Sequence, residues 1–184
     1  SNKDAYNTAI NTNGWKAQEG TNLDCGLKLA DDQLKQDAVK NIGNSLKNVV
    51  VLTDGKPTYY LGKVSHSWQS DITIGNTYYK VKHNGKSCDE NTFQNTKNSA
   101  TDLKQNASVY TVCFGASGEK ITNYDNQTGK DFLGSPIYSE ISVGDYLKNK
   151  IATSPTSGKI YAYDAGDTNG LMSAFAAITK DIVS

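Results

Sequence analysis

Arginine is absent from this chain: all 19 of its basic residues are lysines, and 19 acidic residues balance them to a formal net charge of zero. Proteins that read nucleic acid depend on the guanidinium fork for bidentate contacts with bases and phosphates. A neutral chain without that fork reads against nucleic-acid partners. Nor is there a run of about 18 apolar residues of the kind that crosses a bilayer, so no membrane insertion is expected of this segment. The opening residues, Ser1-Asn2-Lys3-Asp4, lead into polar sequence rather than an apolar signal core. If the protein is exported, its targeting signal is expected outside these residues.

Catalytic motifs are missing as well. The sequence has no Gly-x-Ser-x-Gly elbow, no Gly-x-x-x-x-Gly-Lys phosphate loop, no His-Glu-x-x-His and no Cys-x-x-Cys. With only 2 histidines and 3 cysteines, a nucleophile–base pair has few members to draw on, and no enzyme activity is expected. His66 and His83 stand alone in a polar region and read as exposed or locally bonded side chains. Cys25, Cys88 and Cys113 fit no metal spacing. Cys25 and Cys113 sit in helix and strand patterns and read as small buried residues. Cys88 lies in a polar stretch, where it could pair with a partner outside the chain.

Proline (3) and methionine (1) are scarce, while asparagine, lysine, tyrosine and threonine are plentiful. That bias follows from AT-rich coding, and it also suits an extracellular bacterial surface. At 184 residues the chain supports one domain with a sizeable core. It shows no internal repeat and no low-complexity linker.

Among the features present, Asn48-Val49-Val50-Val51-Leu52-Thr53-Asp54-Gly55 is the most informative. Four consecutive apolar residues, three of them β-branched, predict a buried parallel strand. Its end places a carboxylate at the carboxyl edge of a sheet, where open α/β sheets hold ligands. Val109-Tyr110-Thr111-Val112-Cys113-Phe114-Gly115 predicts a second such strand, and Lys159-Ile160-Tyr161-Ala162-Tyr163 a third.

Helical spacing appears over 3–11, over 23–36 with Leu23, Leu27, Ala30 and Leu34 on one face, over 99–105, over 145–152, and over 171–183. Asp167, Thr168 or Asn169 is placed to cap the last of these. Strands alternating with helices predict an α/β, mainly parallel sheet flanked by helices.

Two long excursions interrupt the alternation, at about 59–95 and 117–143. The first has strand composition at Tyr59-Tyr60-Leu61 and at Thr77-Tyr78-Tyr79-Lys80-Val81-Lys82, with an Asn84-Gly85 turn signal, and predicts a β-hairpin. Its aromatics Tyr59, Tyr60, Trp68, Tyr78 and Tyr79 form either a local mini-core or a recognition surface. The second is rich in Gly, Asn and Asp, with Phe132, Ile137 and Tyr138 as candidate anchors.

Four segments in order resemble a von Willebrand factor A domain: Gly20-Thr21-Asn22 before an apolar helix, the strand ending Thr53-Asp54-Gly55, the Val109–Gly115 strand, and Leu171-Met172-Ser173-Ala174-Phe175-Ala176-Ala177-Ile178. The resemblance spans nearly the whole chain apart from the excursions, which are similar to those of A domains at Gram-positive pilus tips and in surface adhesins. It implies a Rossmann-like open sheet and a divalent cation, Mg2+ or else Ca2+ or Mn2+, at the sheet's carboxyl edge.

By position Thr21 would be the family's threonine ligand and Asp54 its aspartate. Asp24 would pair with the helix start or stay solvated, and Asp164 and Asp167 would be loop or capping residues. Thr21 and Asp54 each have a plainer role open to them, as a helix cap and a turn former.

The Asp-x-Ser-x-Ser loop that supplies the other ligands is absent. The resemblance therefore implies residues 1–184 as the C-terminal two-thirds of one such domain, with its first strands and an incomplete metal site left to polypeptide outside them. The expected function is an adhesin module on a bacterial cell surface or cell wall, binding a host protein or extracellular-matrix ligand through the cation. The expected partners include the missing N-terminal part or other pilin subunits. The alternative is a metal-independent structural or assembly domain.

Overall fold

The computed structural model describes residues 20–36, 40–43, 47–83, 87–156 and 158–183, and the helix anticipated over 3–11 lies outside them. Its centre is a parallel three-stranded sheet in the order β1 (Asn48–Thr53), β5 (Ser108–Phe114), β8 (Ala162–Ala165). Val49 faces Val109 and Thr53 faces Cys113, while Cys113 also faces Asp164. β5 is buried along almost its whole length, as a central parallel strand should be.

Period-two alternation divides β5 between two cores. Val109 and Cys113 pack with Leu23 and Leu27 of helix α1 (Leu23–Leu34) and with Phe93, Ala100 and Leu103 of α2 (Glu90–Lys104). Tyr110 and Val112 pack on the opposite face against Ala174 and Ile178 of the closing helix, Thr168–Val183. The architecture is mixed α/β, with a parallel sheet between helical layers, compatible with a Rossmann-like fold.

β1 departs from expectation. Its apolar run predicted burial, yet Val50 is 37% exposed and Leu52 50%. The reason is topological: β1 ends the described sheet and pairs only with β5.

The first excursion is a three-stranded antiparallel sheet, β2 (Tyr59–Val64), β3 (Ile72–Ile74) and β4 (Thr77–His83), in the order β2-β4-β3. It is shorter than 59–95, because α2 already begins at Glu90. The β3–β4 turn falls at Gly75-Asn76, where Gly75 takes φ +56°. The Asn84-Gly85 signal lies outside the described residues.

The second excursion is a hairpin of β6 (Lys120–Lys130) and β7 (Pro136–Ser142). Phe132 does not anchor it. That side chain is 94% exposed at the turn, where Asp131 accepts hydrogen bonds from the Leu133 and Ser135 amides, both at 2.9 Å. Ile137 is exposed too. The anchors are Ile121, which is buried, and Tyr124, which meets Phe93 edge-on at 5.7 Å and Tyr138 at 5.1 Å.

Three helices also differ from their expected extent. The segment expected over 99–105 is the last half of α2, which Asp89 caps through the Thr92 amide at 2.7 Å. Its buried face uses Thr92, Thr96 and Ser99 beside Phe93, Ala100 and Leu103, so polar residues at core positions hid its first half. The segment expected over 145–152 is a single α-turn, α3 (Val143–Tyr146), continued as a π-helix over Leu147–Ile151. The final helix, α4 (Thr168–Val183), starts earlier than expected, because Asp167 Oδ1 accepts the Gly170 amide at 2.8 Å and caps it. β8 lies later than the expected 159–163, although the Tyr161 carbonyl already accepts the Thr111 amide at 2.8 Å.

Candidate functional site

The turn into α1 is built for close approach. Gly20 takes φ +112°, and a Cβ there would lie 2.3 Å from the Tyr59 ring and 2.4 Å from Thr58 Oγ1. Only glycine fits. Thr21 is then held from three directions: its amide donates to Thr58 Oγ1 at 2.9 Å, and its carbonyl accepts the Thr58 and Tyr59 amides at 2.9 and 3.2 Å.

Asn22, rather than Thr21, caps α1, accepting the Cys25 amide on Oδ1 at 3.0 Å. The Thr21 hydroxyl makes no hydrogen bond among the described residues.

At the end of β1, Thr53 is buried and closes the turn on itself. Its Oγ1 accepts the Gly55 amide at 3.3 Å and donates to the Gly55 carbonyl at 3.0 Å. Asp54 is left exposed, with no ion pair or hydrogen bond among the described residues. Thr21 Oγ1 stands 3.3 Å from where a Cβ on Gly55 would be. The Thr21 hydroxyl therefore stands beside the Asp54-Gly55 turn at the carboxyl end of β1, and neither it nor the Asp54 carboxylate is hydrogen-bonded among the described residues.

Thr21 borders a groove of about 410 Å³ between α1 and β1, lined by Leu23, Leu27, Ala30 and Val49 to Leu52. Asp54 borders a hollow of about 300 Å³ on the other face, with Leu52, Phe114 and Leu171.

A hydroxyl and a carboxylate are the right donors for a hard cation, which takes six or more oxygens. Their number falls short of a full shell. No group of three or more His, Cys, Asp or Glu side chains able to hold a metal occurs among the described residues.

Asp24, behind Thr21, is a buried structural residue rather than a solvated one. Expected at the helix start or in solvent, it is fully buried. One carboxylate oxygen accepts Ser99 Oγ at 2.5 Å and the Lys28 ammonium, and the other accepts the Leu61 amide at 2.7 Å. It ties α1 to α2 and to the first excursion immediately behind Thr21. The Asp24–Lys28 spacing of four was visible in the sequence, whereas Ser99 and Leu61 could be found only in the fold.

The remaining candidates separate cleanly. The first excursion buries Tyr79 with Leu61 and Ile74, a mini-core, whereas Trp68 is 78% exposed and stacks on His66 at 5.7 Å. Asp164 stands exposed at a cleft of about 370 Å³ with Thr111, Ser117, Asp145 and Lys148.

All three cysteines are free. Cys88 is buried rather than set in an open loop, and burial, reinforced by the charge of Asp89, pushes its thiol up to about 12. Burial also raises Cys25 and Cys113. None of these thiols is poised as a thiolate nucleophile.

No helix among the described residues is long and apolar enough to cross a membrane. No protein-family model, no curated protein and no solved structure matches this chain.

Proposed function

We propose that this chain is the larger part of a von Willebrand factor A-like domain in an extracellular bacterial adhesin, of a pilus tip or the cell surface. In this reading it captures an acidic side chain of a host protein or matrix component through Mg2+, or Ca2+ or Mn2+ in its place. Thr21 and Asp54 hold the cation, directly or through water, and polypeptide outside these residues supplies the other ligands. The cation contributes a positive charge with an open coordination position for the partner's carboxylate.

One observation carries the reading: the loop before α1 and the turn after β1 bring a free hydroxyl and a free carboxylate to one strand end. Among the described residues β1 pairs only with β5, and that supports it further. A parallel sheet is ordinarily covered on both faces, and an edge strand normally carries a lysine, a proline or a bulge as protection. Val49 to Leu52 carries none, and apolar hollows flank it on both faces. A strand laid along this edge fills them and ends beside Asp54, where a further ligand loop belongs.

The same edge favours a second reading, a metal-independent assembly domain that docks a partner subunit by strand addition. Adhesion to a matrix-coated surface, measured with Mg2+ and with EDTA, separates the two. The adhesin reading expects EDTA and Asp54→Ala each to abolish attachment. Attachment indifferent to both selects the assembly reading.

A further inference from the structure

We propose that the cleft beside β8 is a binding site for a small neutral sugar, one that works without any cation and independently of the Thr21 strand end.

The cleft, of about 370 Å³, lies at the end of the described sheet opposite β1. Strand register builds its floor. Thr111 faces Ala162 and Cys113 faces Asp164, so all four fall on one face of β5 and β8. The other face belongs to Tyr110 and Val112, packed under α4. Leu147 and Lys148 of the π-helix supply a wall. The rim is a close approach of the loop after β5 to the start of α3. There the Gly144 amide donates to the Ser117 carbonyl at 3.0 Å, and a Cβ on Gly144 would lie 3.1 Å from that of Ser117. The cleft thus stands toward the carboxyl ends of two parallel strands, where open α/β sheets hold ligands.

Two observations point to an occupant. Thr111 is 1% exposed on the floor, and its hydroxyl has no hydrogen-bond partner among the described residues. A buried oxygen without a partner costs stability, and valine would fill the position equally well. The hydroxyl has a use there when a bound molecule completes it. Nearer the rim, Asp164 and Lys148 are exposed, and neither has an ion pair or hydrogen bond among the described residues. Asp145 gives one carboxylate oxygen to the Ser142 hydroxyl at 2.7 Å, which leaves the other for a ligand.

The lining selects the chemistry. Carboxylates accept, an ammonium donates, and the hydroxyls of Thr111 and Ser117 do both. A sugar ring answers all of these, since paired hydroxyls donate to a carboxylate and accept from Lys148, leaving its C–H face for Ala162 and Leu147. A lone ammonium group, about the size of one water at ~30 Å³, would leave most of the cleft empty. An apolar ligand would cover Asp164 and Lys148 without pairing them. Small-molecule sites run from about 300 to 1,000 Å³, so this one suits one or two sugar rings.

The test is saturation-transfer NMR on the full chain with D-glucose, D-galactose, D-mannose and N-acetylglucosamine at millimolar concentration, with EDTA present throughout. At least one of these sugars is expected to bind. Its affinity should fall about tenfold in Asp164→Asn and several-fold in Thr111→Val, while Thr111→Ser and Asp54→Ala leave it unchanged. Asp164→Asn alone decides if the valine variant does not fold. Transfer to none of the four sugars overturns the proposal, as does an affinity that either variant leaves at the wild-type value, or binding of glycine or methylammonium in place of a sugar.

Discussion

At the scale of single residues, buried polar groups decide most. Asp24 is the clearest case, because its carboxylate satisfies the Leu61 amide, the Ser99 hydroxyl and the Lys28 ammonium at once. Removing it strands a backbone donor and a half-buried cation. Asp24→Ala is expected to cost about 3 kcal/mol, read as a lowered urea midpoint with an unchanged slope. Thr111 is the opposite case. It is buried in the central strand, and its hydroxyl has no partner among the described residues. Thr111→Val keeps the shape and removes the unpaired oxygen, so it is expected to stabilise the fold by about 1 kcal/mol. Partial burial works to raise the Asp125 carboxyl, but hydrogen bonds from Lys150, Lys97 and Gln94 outweigh it and hold the group at about 2. An unfolded aspartate titrates near 3.9. The contribution of Asp125 is therefore complete above about pH 5 and lost as the pH falls toward 2. Acid titration of stability is expected to be shallower for Asp125→Asn than for the wild type over that window, by a small amount, since this group is near the surface.

At the scale of elements, the hairpin β6–β7 is held at its root, through Ile121, Tyr124 and the Asp125 ion pairs with Lys97 and Lys150 at 2.6 and 2.7 Å. Its apolar tip contributes nothing to the core. Phe132→Ser is expected to change stability by less than about 0.5 kcal/mol, whereas Tyr124→Ala lowers the melting temperature clearly. Sequence reasoning chose Phe132 as an anchor because a large aromatic usually buries something, and it had no means of seeing that Asp131 turns the chain outward there. The parallel strands were legible for a firmer reason. Val49 to Leu52 and Val109 to Phe114 are β-branched or aromatic runs that leave helix disfavoured. The first half of α2 was not legible, since Thr92, Thr96 and Ser99 occupy its buried face, and a hydropathy pattern discounts them. Burial itself was legible only where an element has neighbours on both sides. Among the described residues β5 has them and β1 has one, so similar composition gives a buried strand in one place and a partly exposed one in the other.

For the whole molecule, the described residues form a layered α/β fold with one unfinished side. The edge of β1, with Val50 and Leu52 exposed, lies beside the strand end where the Thr21 loop approaches the Asp54-Gly55 turn. Thr21 and Asp54 were singled out from their places in a familiar order of segments, and the fold sets the Thr21 loop against the Asp54-Gly55 turn. Their support could not be read, because Thr58, Asp24, Ser99 and Leu61 belong to segments whose approach is decided by packing. On the adhesin reading, the site works only when another segment closes the β1 edge and adds oxygens to those of Thr21 and Asp54. The most direct measurement is calorimetric titration of Mg2+ or Mn2+ into the protein carrying that completing segment. One cation is expected to bind per domain, with binding lost in Asp54→Ala and sharply weakened in Thr21→Ala. No cation uptake, or uptake that Asp54→Ala leaves intact, contradicts the account.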